Sequence, residues 1–145
     1  TAKGSNGVQQ RPVNIIVEPE GKLKQMINRG EQAIGDKEER RSLEQVLNNF
    51  KAAYNAHDLA RMRTVWTGMS SSQARGLEHF FKGNPGAKVQ DACPESFLSI
   101  TGDSAQWTCK ETTTLIISGR PLASSHDIRF SFVKKNGEWS ISERN

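Results

Sequence analysis

From Leu98 to Ser142 the chain alternates apolar and polar residues through three turns without losing phase. Gly102–Asp103, the Ser-Gly-Arg-Pro stretch at 118–121 and Asn136–Gly137 carry turn chemistry, and Asn-Gly is the strongest short hairpin signal. Partners across a hairpin keep a constant sum of residue numbers, so each turn sets a register. The first turn pairs Ile100 with Ala105 and Leu98 with Trp107. The second, read as a four-residue loop, pairs Thr113 with His126 and Glu111 with Ile128. The third pairs Phe132 with Ile141 and Lys134 with Trp139. The three registers agree on one apolar face: Leu98, Ile100, Ala105, Trp107, Cys109, Ile128, Phe130, Phe132, Trp139 and Ile141. The other face collects Thr108, Lys110, Thr112, Thr114, Ser125, Asp127, Arg129, Ser131, Ser140 and Ser142. A slip of one residue would turn the apolar set to water, so the agreement specifies the pairing.

Such a face needs a cover, and residues 36–66 supply it. Leu43, Val46, Leu47, Phe50, Ala53 and Tyr54 follow the spacing of one helical face. Asp36 and Glu39 form a capping-box-like start. Asp58 caps a second helix with Leu59, Met62, Val65 and Trp66 turned inward. After a loop at 67–72, a third helix over 73–83 presents Leu77, Phe80 and Phe81, and the Gly-Asn-Pro-Gly stretch at 83–86 stops it. Ahead of these, residues 1–21 read as a polar linker, with 14–19 (NIIVEP) as a short strand inside it. Residues 22–35 read as a weak extra helix that Gly35 separates from the main one. The expected architecture is α+β: three helices packed on the concave face of a curved, roughly four-stranded antiparallel sheet, within a domain spanning 36–145.

Composition narrows the function classes. The chain has 145 residues, enough for one domain with a core. Its net charge of +4 is scattered along the sequence, which argues against a nucleic-acid groove. No window reaches the length of a membrane-spanning helix. Cys93 and Cys109 match no metal motif, and His57, His79 and His126 lie far apart, so neither a metal nor a cofactor is expected. Extending the strand register puts Cys93 opposite Thr112 and outward, away from Cys109, so no disulfide is expected; a bulge at Pro94 would reverse that parity. The chain begins at Thr1 and reads as a processed mature protein or as a domain of a longer one. No feature assigns a compartment.

Three helices followed by a long curved sheet, with the motifs FKAAYNAHDLARMRTVW, ITGDSAQW and RFSFVKKNGEWSI, resemble the nuclear transport factor 2-like superfamily over roughly residues 37–144. The resemblance implies a cone in which helices close one side and the sheet encloses a pocket. Within that superfamily, ketosteroid isomerase needs a carboxylate base and two acidic donors. Aligning on Asn55-Ala56-His57-Asp58-Leu59 puts Phe50 at the donor tyrosine, Ala74 at the base and Ile128 near the donor aspartate. That chemistry is therefore not retained. Scytalone dehydratase, which uses a His–Asp pair with tyrosines, is matched no better, because Tyr54 is the chain's single tyrosine.

The candidate site comes from sheet parity. Glu111, Thr113 and His126 share the apolar face but lie past its last large hydrophobic residues, where a core gives way to a cavity mouth or to water. Tyr54, Trp66 and Cys109 complete the expected pocket lining, and each also reads as ordinary core. Tyr54, Glu111 and His126 are the catalytic candidates, with Glu111 and His126 as a diagonal acid–base pair. His57 is expected at a helix C-terminus, where a positive charge suits the dipole. With no complete catalytic constellation, the sequence favours a non-enzymatic binding or assembly domain. It would dimerise through the outer sheet face around Phe97, Ile116 and Val133 and hold a small apolar ligand in the cone. The alternative is a small isomerase, cyclase or hydrolase using Glu111 and His126 on an apolar substrate.

Overall fold

The structure, a computed structural model, describes the backbone of residues 18–145 and the side-chain environments of residues 36–145. Helix α1 runs Glu18–Asn55, α2 Leu59–Val65 and α3 Ser71–Gly83. The strands are β1 (Lys88–Ala92), β2 (Leu98–Thr101), β3 (Ser104–Ile117), β4 (Arg120–Lys135) and β5 (Glu138–Arg144). The chain divides into two compact units, Thr1–Arg41 and Ser42–Asn145. The described part of the first is the amino-terminal stretch of α1. The sheet, the core and the candidate site all belong to the second.

The expected break at Gly35 is absent, because α1 continues through it. A glycine inside a helix costs only about 1 kcal/mol, too little to end one. The strand expected at 14–19 lies outside the described residues except for Glu18 and Pro19, which begin α1.

At its other end α1 stops by a Schellman arrangement. The Asp58 amide bonds the Ala53 carbonyl and the His57 amide bonds the Tyr54 carbonyl, both at 2.9 Å. His57 takes the left-handed position that glycine usually holds, with φ 55°. Its Nε2–H donates to the Ala87 carbonyl at 2.8 Å, and its ring stacks on Phe81 at 4.3 Å. Asp58 then caps α2 by accepting from the Arg61 amide. Ser70 and Gln73 form a full capping box on α3.

The sheet is antiparallel, in the order β1-β3-β4-β5, with β2 also paired to β3. The Gly102–Asp103 and Asn136–Gly137 registers are as the sequence sets them. The middle hairpin differs. Its loop is the two residues Ser118 and Gly119, both at positive φ, so Glu111 pairs with His126 and Ile117 with Arg120. The register moves by two residues, an even number, and every side chain keeps its face. The apolar face meets Leu43, Leu47, Phe50, Ala53 and Tyr54 in one buried cluster with Met62, Trp66 and Phe81.

A larger difference lies at Pro94. There a single 3-10 turn, Glu95–Phe97, divides the expected strand in two, giving five strands rather than four. β1 meets β3 in a register that sets Asp91 against Glu111 and Ala92 against Lys110. Relative to β2, that register is displaced by three residues. An odd displacement exchanges the faces, so Cys93 points inward and forms a disulfide with Cys109, against the outward position expected from an unbroken strand. Two further devices fix the edges. The Asn55 side chain bonds both the amide and the carbonyl of Val89, at 2.7 and 3.2 Å. Gly68 lies so close to the Ser142 carbonyl that a Cβ there would sit 1.8 Å from its oxygen.

Phe50 is fully buried, packed edge-on against Phe130 and Trp66. Phe50→Ala is expected to cost about 3–5 kcal/mol in denaturant unfolding, as large-to-small core changes do. A midpoint near the wild-type value would contradict this packing.

Candidate functional site

On the inner face, β1 with the residue that follows it, and β3, present two successive cross-strand pairs. The Cys93–Cys109 disulfide is one; Asp91 and Glu111 are the other. Glu111 is only 1% exposed, the one buried charged side chain among the described residues. A carboxylate at that depth needs a positive partner. Arg144 supplies it, with Nη2 bonded to Glu111 Oε1. The same guanidinium lies over the Phe50 and Phe130 rings, 5.5 and 5.8 Å from their centroids.

Arg144 reaches this position through a β-bulge. Phe132 faces Ile141, but Ser131 faces Glu143 and Phe130 faces Arg144, so Ser142 is an extra residue in β5. The bulge reverses the parity of Glu143 and Arg144. A side chain that strict alternation would send outward is turned to the core. Ser142 Oγ donates to the Ser131 carbonyl, and Gly68 seats against the Ser142 backbone, bonding the Ile141 carbonyl at 3.2 Å.

Two carboxylates now face one arginine. Both Asp91 oxygens and Glu111 Oε2 are buried without a donor. Burial first, then the charge of Glu111 and a hydrogen bond with it, push the Asp91 carboxyl up to about 7, against the pull of Arg144 and Lys51. A proton shared between one Asp91 oxygen and Glu111 Oε2 would pair two of these three oxygens and leave the other Asp91 oxygen without a donor. Burial also raises the Tyr54 phenol; Arg144 opposes the rise, while Glu111 and Asp91 add to it.

Beside this cluster lies a half-open groove of about 320 Å³, lined by Glu44, Leu47, Asn48, Lys51, Asp91, Cys93 and Trp107. Glu44, Leu47, Asn48 and Lys51 form one stripe of α1. Leu47, Trp107 and the half-buried Cys93 give an apolar floor. Trp107 Nε1–H is occupied, donating to the Pro94 carbonyl at 2.8 Å.

Of the six residues expected around a pocket, Tyr54, Trp66, Cys109 and Glu111 are buried in the core, Thr113 is half-buried and His126 is exposed. None of them lines this groove. Glu111 and His126 are direct cross-strand partners rather than diagonal ones. The Glu111 carboxylate is turned to Arg144, while His126 is exposed. Trp66 Nε1 is buried without a partner, and nothing in the structure explains it. The sequence pattern hides Asp91, because an unbroken register does not survive Pro94, and Arg144, because strict alternation does not survive Ser142.

The folded stability should depend on pH through Asp91. Its folded value lies above the ordinary 3.8, so the stability it contributes is complete below that value and is lost as pH rises toward about 7. Asp91→Asn removes the penalty. Since Asp91 is partly exposed, the variant is expected to exceed wild type by only about 1–2 kcal/mol at pH 8. The gap should close near pH 4 in urea melts. A variant less stable than wild type at pH 8 would contradict the assignment.

No protein-family model matches the chain, and no curated protein does. Solved structures do match. Rv3472 of Mycobacterium tuberculosis, of unknown function, is similar at TM-score 0.65 and 12% identity, covering 77% of this chain and 72% of that one. A candidate dehydratase of the nuclear transport factor 2-like family from Streptomyces avermitilis is similar at TM-score 0.61 and 13% identity, over 72% and 92%. A candidate association domain of calcium/calmodulin-dependent protein kinase type II from Thiobacillus denitrificans is similar at TM-score 0.57 and 15% identity, over 70% and 90%. Three helices followed by a curved antiparallel five-stranded sheet, shared with these structures, give this chain the nuclear transport factor 2-like fold.

Proposed function

We propose that this chain is a non-enzymatic binding and assembly domain, which self-associates through the outer sheet face and takes a small ligand in the groove along α1. The observation that carries the reading is the burial of large aromatic side chains between helices and sheet. Trp66, Trp107 and Trp139 are all buried there with Phe50 and Phe130, where an enzyme of this shape would hold its substrate. The acid–base pair needed for the enzymatic alternative is also divided. Glu111 is locked to Arg144 inside, and His126 stands in water.

The outer face supports assembly by its exposed apolar residues. Phe97 is 61% exposed and Ile116 50%. Thr112 and Ser125 are hydrogen-bonded to each other across β3 and β4. An interface there would have an apolar centre and a polar, partly wet rim. The fold neighbours include a candidate kinase association domain, which fits this class of role. The Cys93–Cys109 bond supports a setting in which disulfides persist.

Light scattering at tens of micromolar protein tests the reading. A dimer is expected for the wild type, and Phe97→Glu should shift it toward monomer with unchanged circular dichroism. A wild-type monomer at that concentration would overturn the assembly role.

A further inference from the structure

The groove is asymmetric in a way that points to its ligand. Its floor is apolar: Leu47, Cys93 and Trp107. Its charged walls are unequal. Glu44 and Asp91 line it against Lys51, and Glu111 lies directly behind Asp91 in the β1–β3 ladder. Three carboxylates therefore face two cations, Lys51 and Arg144. Arg144 is already engaged by Glu111 Oε1. The Asp91 oxygens and Glu111 Oε2 remain without a donor. Within the Asp91–Glu111 pair it is a proton, and not a second cation, that offsets the second carboxylate.

We propose that the groove binds a small organic cation, an amine or guanidine on an apolar body, with its charged group settled against the Asp91 carboxylate. The inference rests on the small-ligand part of the proposed function and names the ligand's chemistry. The body lies on Leu47, Trp107 and the disulfide, and Glu44 and Asn48 flank it. The Asp91 oxygens face inward to Glu111; rotation of that side chain presents one of them to the groove. A neutral ligand would gain the floor but leave the shared proton in place. An anionic one would face Glu44, Asp91 and Glu111 together.

The cation takes the place of the shared proton, so binding and proton release are linked. The groups facing Asp91 are Glu44, Lys51 and Tyr54 on α1, Glu111 on β3 and Arg144 on β5. With Asp91 titrating at about 7, its ionised fraction rises about tenfold between pH 6 and pH 8, and the affinity should rise by the same factor.

The test uses the full chain and two probes of nearly equal shape, benzylamine, charged at both pH values, and benzyl alcohol. Amide shifts report the site, and calorimetry in buffers of different ionisation enthalpy reports protons. Benzylamine is expected to bind saturably, moving the Leu47, Asp91 and Cys93 amides. It should bind about tenfold more tightly at pH 8 than at pH 6, releasing close to one proton at pH 6. Asp91→Asn should abolish the pH dependence and the preference for the amine, and Lys51→Met should tighten amine binding. Benzyl alcohol binding as well as benzylamine, with no proton released, would overturn the cation inference and leave a ligand groove standing. Binding of neither probe would overturn the inference and the ligand groove together, leaving only the assembly role, which light scattering decides.

Discussion

The structure turns on a carboxylate that an apolar core cannot hold without help. Glu111 is buried on the covered face of the sheet, and burial of an unpaired carboxylate costs several kcal/mol. Arg144 makes the position tenable, and Arg144 points inward only because Ser142 is an extra residue in β5. The bulge is in turn held by the loop after α2, where only glycine fits at 68. A local irregularity in the last strand, a loop glycine and a buried ion pair are thus one device. Asp91 extends it: burial and the facing Glu111 push the second carboxyl of the ladder up to about 7.

The difference between what the sequence reveals and what it hides follows from parity. A register displacement of two residues in the β3–β4 hairpin leaves every face assignment intact, so the core residues from Leu98 to Ile141 are legible even with the loop misplaced. At Pro94 the displacement is three, and at Ser142 one residue is inserted. Both are odd, and each reverses the faces beyond it. Those two reversals place Asp91, Cys93 and Arg144, which is why the disulfide and most of the charged cluster are hidden while Glu111 is visible. Proline marks the first site. The serine gives no comparable sign, since a bulge is set by what packs against the strand. On α1 the apolar stripe from Leu43 to Tyr54 is legible, because a helical face carries no register to lose. Gly35 misleads, because a weak helix former does not end a helix that has other support.

Function is less tied to the fold than the core is. The solved structures share the architecture at 12–15% identity, and a fold of this kind hosts unrelated activities. The residues argue more specifically. Tryptophan and phenylalanine are buried under the helices, and a recess among the described residues lies to one side, between the Glu44–Lys51 stripe and the end of β1. Binding at the flank of a packed domain, together with association through an exposed sheet face, needs no catalytic pair. In the proposed reading, the carboxylates at Asp91 and Glu111 would select the ligand by charge.

The central claim is that the facing carboxylates keep a proton on Asp91 at neutral pH. Carbon-13 detection of the Asp91 carboxyl carbon across a pH titration measures this directly. The account predicts a midpoint at about 7, well above the ordinary aspartate value. A midpoint near 4, in the usual carboxylate range, would show that Asp91 is ionised beside Glu111 and would contradict it.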